Sequence, residues 1–327
     1  MRSAWGETVE RWHAGAEARR ALRSLRTLRV SAAARIDAGP AWVGAATRLL
    51  LEVARGARAD RIGGSAAEIA FFAVLSVFPA LLVLAAVLGS LELLVGHNLA
   101  GQAEAVVVEF LQRVLTSDGS GAVEVVRQLF ARRRQGLITA ASLFALWGVT
   151  RSFATVIRTL DLAYAVRESR TLAGRWLTAL GLALGSLLLA VIVLAMVVVG
   201  PLLGQGEGLI DRFGLQYWLV GAWDWVRWPF AFVLLVAWAT TLYHMAPARR
   251  GQWRHDLPGA LVAGVGWLAV SLGLGAYVDV VASANPILGV LGGGLILLIW
   301  LYLLGLTLLL GGELNAVLDH RRHRGSG

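Results

Sequence analysis

ILGVLGGGLILLIWLYLLGLTLLL, residues 287–310, runs for 24 positions without a charge and is closed by Gly311, Gly312, Glu313, Leu314, Asn315 and Ala316. At about 1.5 Å of rise per residue, a helix of that length covers roughly 36 Å, enough to cross a hydrocarbon core of about 30 Å with some tilt. A helix buried in a soluble protein needs no such length. The stretch therefore predicts a membrane protein. Further apolar runs lie at roughly 69–91, 137–151, 176–199, 230–243 and 257–281. The run at 230–243 is short and borrows length from 218–228, where Trp218, Trp223, Trp225 and Trp228 resemble an interfacial aromatic belt. The predicted fold class is all-α, a polytopic membrane protein with six transmembrane helices.

Composition agrees. Of 327 residues, 57% are hydrophobic and 16% charged, against about 25% charged in soluble domains. Cysteine is absent, which excludes disulfides, thiolate metal sites and a cysteine nucleophile. His320 and His323 share a helical face near the C terminus, but two ligands in a tail make no metal site, and no metal or cofactor is expected. No secretory signal is visible, so the N terminus is read as retained.

Arginine placement sets the expected orientation, since every one of the 30 cations is arginine. Twelve lie in residues 1–61, four in 154–175, three in 244–257 and three in the C-terminal tail, against seven on the opposite side. The excess predicts a bacterial cytoplasmic membrane protein with both termini in the cytoplasm. Arg132, Arg133 and Arg134 oppose it from the predicted outer side.

Three regions follow. Residues 1–61 form a basic cytoplasmic arm, partly amphipathic or disordered, with Trp5, Val9, Trp12 and Ala16 at helical spacing. Such an arm suits anionic headgroups at a leaflet surface, in preference to nucleic acid. Residues 62–318 form the membrane domain, and 319–327 a basic tail. Within the domain, the outer segment 95–136 carries two apolar stripes, Val106, Val107, Phe110, Leu111, Val114 and Leu115, then Val123, Val126, Leu129 and Phe130. They predict two amphipathic helices, with a re-entrant hairpin as the alternative.

Ionisable groups within a bilayer are costly and mark function. The expected span centres, near Pro79, Ala145, Leu188, Leu234, Ser271 and Trp300, are uncharged. That argues against coupling through a midplane carboxylate and leaves uncharged or lipid-like cargo open. Glu68 begins the first span, Arg151 ends the second and Glu313 ends the sixth, so all three are expected at the cytoplasmic rim. With Asn315 they are read as a gate or headgroup site, or else as independent snorkelling charges. Arg249, Trp253 and Arg254 are candidate headgroup contacts. Pro79 is expected to bend the first span, and Asn285, Pro286, Gly289 and Gly293 to form a hinge or a packing seam. There is no HExxH, GxSxG or P-loop, and no two-metal cluster, so no catalytic residues are assigned and no enzyme is expected.

Several stretches together resemble the YihY/BrkB family of bacterial inner-membrane proteins. Ala70, Phe71, Phe72, Ala73, Val74, Leu75, Ser76, Val77, Phe78 and Pro79 are similar to its AFY-x-LLSLFP signature. The run from Asp161, Leu162, Ala163, Tyr164, Ala165 and Val166 to Arg167, Glu168, Ser169 and Arg170 is similar to its N-x-AYGV-x-E-x-R stretch. Pro247, Arg249, Trp253, Arg254, Pro258, Gly259 and Ala260 follow, then Trp300, Leu301, Tyr302 and the sextet 311–316, which resemble its LLLWLY and LLGAELNA ending. Phe72 stands for the usual tyrosine, Asp161 for asparagine, Ala165 for glycine and Leu288 for a tyrosine. The resemblance implies six spans with both ends inside. It also brings a ribonuclease label regarded as a misassignment, links of some members to virulence and serum resistance, and a commonly supposed transport role. The expected function is movement or binding of a lipid-like or weakly polar solute; a structural or scaffolding envelope protein is the alternative, and a ribonuclease trails both.

Overall fold

A computed structural model describes residues 41–95, 135–167, 169–205, 217–249, 251–284 and 288–325. The described residues are helical almost throughout: α1 (Ala41–Ala59), α2 (Ile62–Val95), α3 (Gln135–Ala163), α4 (Leu172–Gln205), α5 (Tyr217–Met245), α6 (Leu257–Ala284) and α7 (Leu288–Gly325). One 3-10 turn, Trp253–His255, precedes α6. The chain divides into two compact units, Met1–Arg55 and Gly56–Gly327, with the boundary inside α1. In the first unit, 41–55 is helical, and Thr47 Oγ1 donates to the Val43 carbonyl one turn back (2.8 Å). The amphipathic helices expected within 95–136 and Arg132 to Arg134 fall outside the described residues, apart from the helical backbone at Val95, Gln135 and Gly136. Asn285 and Pro286 are also outside them.

Five described helices are long and apolar enough to cross a membrane: Thr139–Ala163, Leu172–Val193, Trp225–Met245, Leu257–Val278 and Gly294–Arg324. Helix α2 has 34 residues and adds the shorter apolar stretch Ile62–Val77. Large apolar side chains face outward in a way no water-soluble surface tolerates, with Leu177, Leu187, Leu188, Val233 and Leu272 between 60% and 74% exposed. The chain is thus an all-α membrane protein.

In the second unit each helix from α2 to α7 packs on its neighbours in sequence, and α7 returns to pack on α2 and α3. Tryptophans stitch the apolar part: Trp238 Nε1 donates to Ser186 Oγ (2.9 Å), Trp267 Nε1 to the Leu304 carbonyl (3.1 Å) and Trp300 Nε1 to Ser271 Oγ (3.2 Å). The buried core lies toward one end, where α2, α4 and α6 begin and α3 and α5 finish. It is built from Val156, Ile157, Leu160, Leu182, Leu242 and Tyr243 with many alanines between them. Small residues there let backbones meet: a Cβ on Gly259 would strike the Gly311 carbonyl, and one on Gly312 would strike Leu160.

Two helix ends differ from the sequence reading in ways that matter. Helix α3 does not stop at Arg151 but continues to Ala163, because its extra polar groups, Arg158 and Asp161, find partners on other elements. Helix α7 runs through the 311–316 sextet to Gly325, so Glu313 and Asn315 lie inside a helix and are 3% and 2% exposed. Helix α2 passes through Pro79 without a break, and Gly289 and Gly293 are helical. Helix α5 does take its missing length from the tryptophan-rich lead-in.

Candidate functional site

Among the described residues, the ion pairs between helices and loops of the bundle collect at the end that holds the core. Asp256 is the residue before α6, a position where a short acid usually caps the helix. Its carboxylate turns away instead, pairing with Arg249 and meeting His244 Nδ1 at 3.3 Å. The Tyr164 hydroxyl donates to Asp256 Oδ1 at 3.5 Å, and the Arg249 guanidinium lies 4.0 Å from the centre of the Tyr164 ring. Arg249 Nη1 also stands 3.8 Å from Asp319 Oδ2. Burial pushes the Asp256 carboxyl up from its ordinary value, against the pull of Arg249. It pushes the Tyr164 hydroxyl well up as well, which keeps that group a donor.

Asn315 does the capping that Asp256 gives up. Its Oδ1 accepts from the Gly259 N–H (2.7 Å), one of the N-terminal donors of α6, and its Nδ2 donates to the Asp256 carbonyl (2.7 Å). Arg170 treats the other side of the loop likewise, donating to the carbonyls of Ala246 (2.9 Å), Met245 (3.0 Å) and Pro247 (3.0 Å) at the end of α5. Asp161 Oδ1 accepts from the Ala248 N–H (2.8 Å). Tyr243 donates to the Leu308 carbonyl (2.5 Å).

Two further layers lie deeper along α2 and α3. Glu68 accepts from Arg158 Nη2 (2.5 Å) and from Thr155 Oγ1 (2.8 Å). Ser152 Oγ reaches across to the Ile69 carbonyl (3.2 Å). One turn deeper again, the Arg151 guanidinium lies 5.6 Å from the centre of the Phe72 ring, which itself packs edge-on against Trp147. Arg151 is the midpoint of the Thr139–Ala163 span, about 18 Å along the helix from Ala163.

The expected rim residues therefore separate. Glu68 is hydrogen-bonded to Arg158 and also feels the charge of Arg151, whereas Glu313 lies apart from both. Arg151 lies midway along the apolar stretch Thr139–Ala163 and not at its end. Glu313 meets Asp60 beyond the end of α1. Asn315 holds α6. Arg249 is drawn inward with 10% of its side chain exposed, which removes it from headgroup contact, whereas Trp253 and Arg254 remain exposed.

A family model described as virulence factor BrkB matches residues 53–327. The chain belongs to the BrkB family. Among relatives of this BrkB-family chain, the ribonuclease-like protein YfkH of Bacillus subtilis is 29% identical over 257 residues, covering 78% of this chain and 90% of its own. A UPF0761 membrane protein of Methylibium petroleiphilum is 28% identical over 263 residues, covering 79% of this chain and 59% of its own. One from Vibrio vulnificus is 25% identical over 268 residues, 81% of this chain and 80% of its own. No solved structure matches.

Asp60, His244 and Asp256 escaped the sequence reading, and Tyr164, Asp161 and Arg170 entered it only through the BrkB motif. Asp256 did carry a signal, a lone acid before an apolar run that opens with Leu257 and Pro258. Asp60 carried none, being one acid among arginines.

Proposed function

We propose that the chain crosses the bacterial cytoplasmic membrane six times, α2 included, with both ends in the cytoplasm. In this reading it binds or moves a lipid-like or weakly polar solute whose polar group meets Arg151. The observation that carries it is a cation midway along the apolar stretch Thr139–Ala163, beside an aromatic ring and below Glu68 and a ladder of polar groups that leads to one end of the bundle. A charge at that depth is expensive and is kept where a polar partner passes. The arginine excess at the end where α2 begins supports its placement in the cytoplasm. Exposed Trp253 and Arg254 beside α6 suit contact with anionic headgroups.

Reconstituted vesicles test the reading. Arg151→Leu should lower the rate of transbilayer movement, or the affinity of saturable binding, by about tenfold, the value of one charged contact. Arg151→Lys should recover part of the loss. No movement and no saturable binding of any lipid or solute class would remove the reading.

The density of cross-helix ties at the polar end favours, as the second reading, a rigid scaffold of the envelope. It would leave Arg151→Leu without effect while Asn315 variants still fail to assemble. The ribonuclease in the name of the Bacillus relative is not carried over, since the chain offers no hydrolytic motif; RNA cleavage by rigorously purified protein would reverse that.

A further inference from the structure

The residues that end α1 bring a second acid to α7. Asp60 lies in the tight turn between α1 and α2, where its N–H donates to the Gly56 carbonyl (2.8 Å) and Arg61 takes a positive φ of 52°. The Asp60 and Glu313 carboxyls lie within hydrogen-bond reach of each other. Glu313 is 3% exposed, and its Oε2 finds no donor among the described residues. The fit is close: a Cβ at Gly56 would occupy the place of Glu313 Oε1.

Ionised carboxylates only accept hydrogen bonds, so two of them cannot bond to one another without a proton on one. Two like charges in a dry contact also repel strongly. A cation would neutralise them, but among the described residues none is paired with either acid. Arg58 and Arg61, nearest in sequence, are exposed. On α2, Glu68 is engaged by Arg158; in the loop before α6, Arg249 is engaged by Asp256; further along α7, Asp319 faces Arg249 and His323. Asp161 on α3 accepts from the Ala248 N–H.

We infer that Asp60 and Glu313 form a proton-binding site that holds one proton between them at neutral pH, taken up from the water at that end of the bundle. Asp60, half-buried, is the member through which the proton enters and leaves. Burial also raises the Asp60 carboxyl above its ordinary value, in keeping with the shared proton. The inference stands whether or not the bundle moves a solute.

The full chain in lipid nanodiscs tests it by infrared spectroscopy of the protonated carboxyl C=O stretch. The wild-type protein should show this band at neutral pH, and Glu313→Gln and Asp60→Asn should each lose it. Should Glu313→Gln fail to assemble, Asp60→Asn alters a half-buried side chain and reads the same band. A band unchanged in Asp60→Asn, or absent from the wild type, overturns the inference. So does stabilisation of the wild type, and not of Asp60→Asn, by sodium or calcium ions, which would make the ligand a metal cation.

Discussion

Ala165 adopts φ 52° at the end of α3, where the Val166 N–H returns to the Asp161 carbonyl (2.9 Å) and the Ala165 N–H to the Leu162 carbonyl (2.9 Å). This is a Schellman turn, which asks for a left-handed residue and is most easily met by glycine. The sequence comparison had already marked Ala165 as a departure from the family's glycine, without giving the reason for it. Ala165→Gly should stabilise the protein by about 1 kcal/mol, the left-handed penalty of a Cβ, measured as a higher midpoint of thermal unfolding in detergent. Asn315 carries the opposite expectation. Asn315→Leu leaves the Gly259 N–H and one lone pair of the Asp256 carbonyl without their partner, and should cost about 2 to 4 kcal/mol in the same assay. Asn315→Asp restores only the acceptor and should recover a part.

At the scale of helices, the seam of α6 against α7 depends on the absence of side chains. Gly311→Ala would drive a methyl group into the Gly259 carbonyl and the Tyr243 hydroxyl, both rigid, and should destabilise by about 1 to 3 kcal/mol, seen as loss of the monodisperse peak in size-exclusion chromatography. A methyl at Gly273 meets nothing within 4 Å, so Gly273→Ala serves as the neutral control. Helix positions were largely legible in the sequence, because an apolar run long enough to span a bilayer has few other uses. Helix ends were not. A charged residue reads as the end of a span only when it lacks a partner, and whether Arg158 meets Glu68, or Asp161 meets an N–H of the α5–α6 loop, is decided by tertiary packing. For the same reason the sequence reading put Arg151 at a rim, and the pairing of Asp60 with Glu313, 253 positions apart, left no local trace.

Taken whole, the described part of the second unit gathers Asp60, Asp256 and Glu313 at one end, and this sets how stability follows pH. Asp60 and Asp256 both have carboxyls raised by burial above their ordinary values. Between the ordinary value near 4 and the raised one, the folded protein holds more protons than the unfolded chain, so stability falls as pH rises through that window. Thermal unfolding of the full chain should therefore show a midpoint that declines on leaving the acid range, with a smaller decline in Asp60→Asn.

The partners of these acids are also far apart in time. Asp60 and Asp256 are both synthesised before α7, which brings Glu313, Asn315 and Asp319. At 5–20 residues per second, roughly 10 to 50 seconds separate Asp60 from Glu313. Throughout that interval the nascent protein sits in the bilayer with its polar end unfinished. Completion of α7 is thus the event that turns an inserted chain into an assembled one, and the interval before it is when proteases of the membrane have their chance.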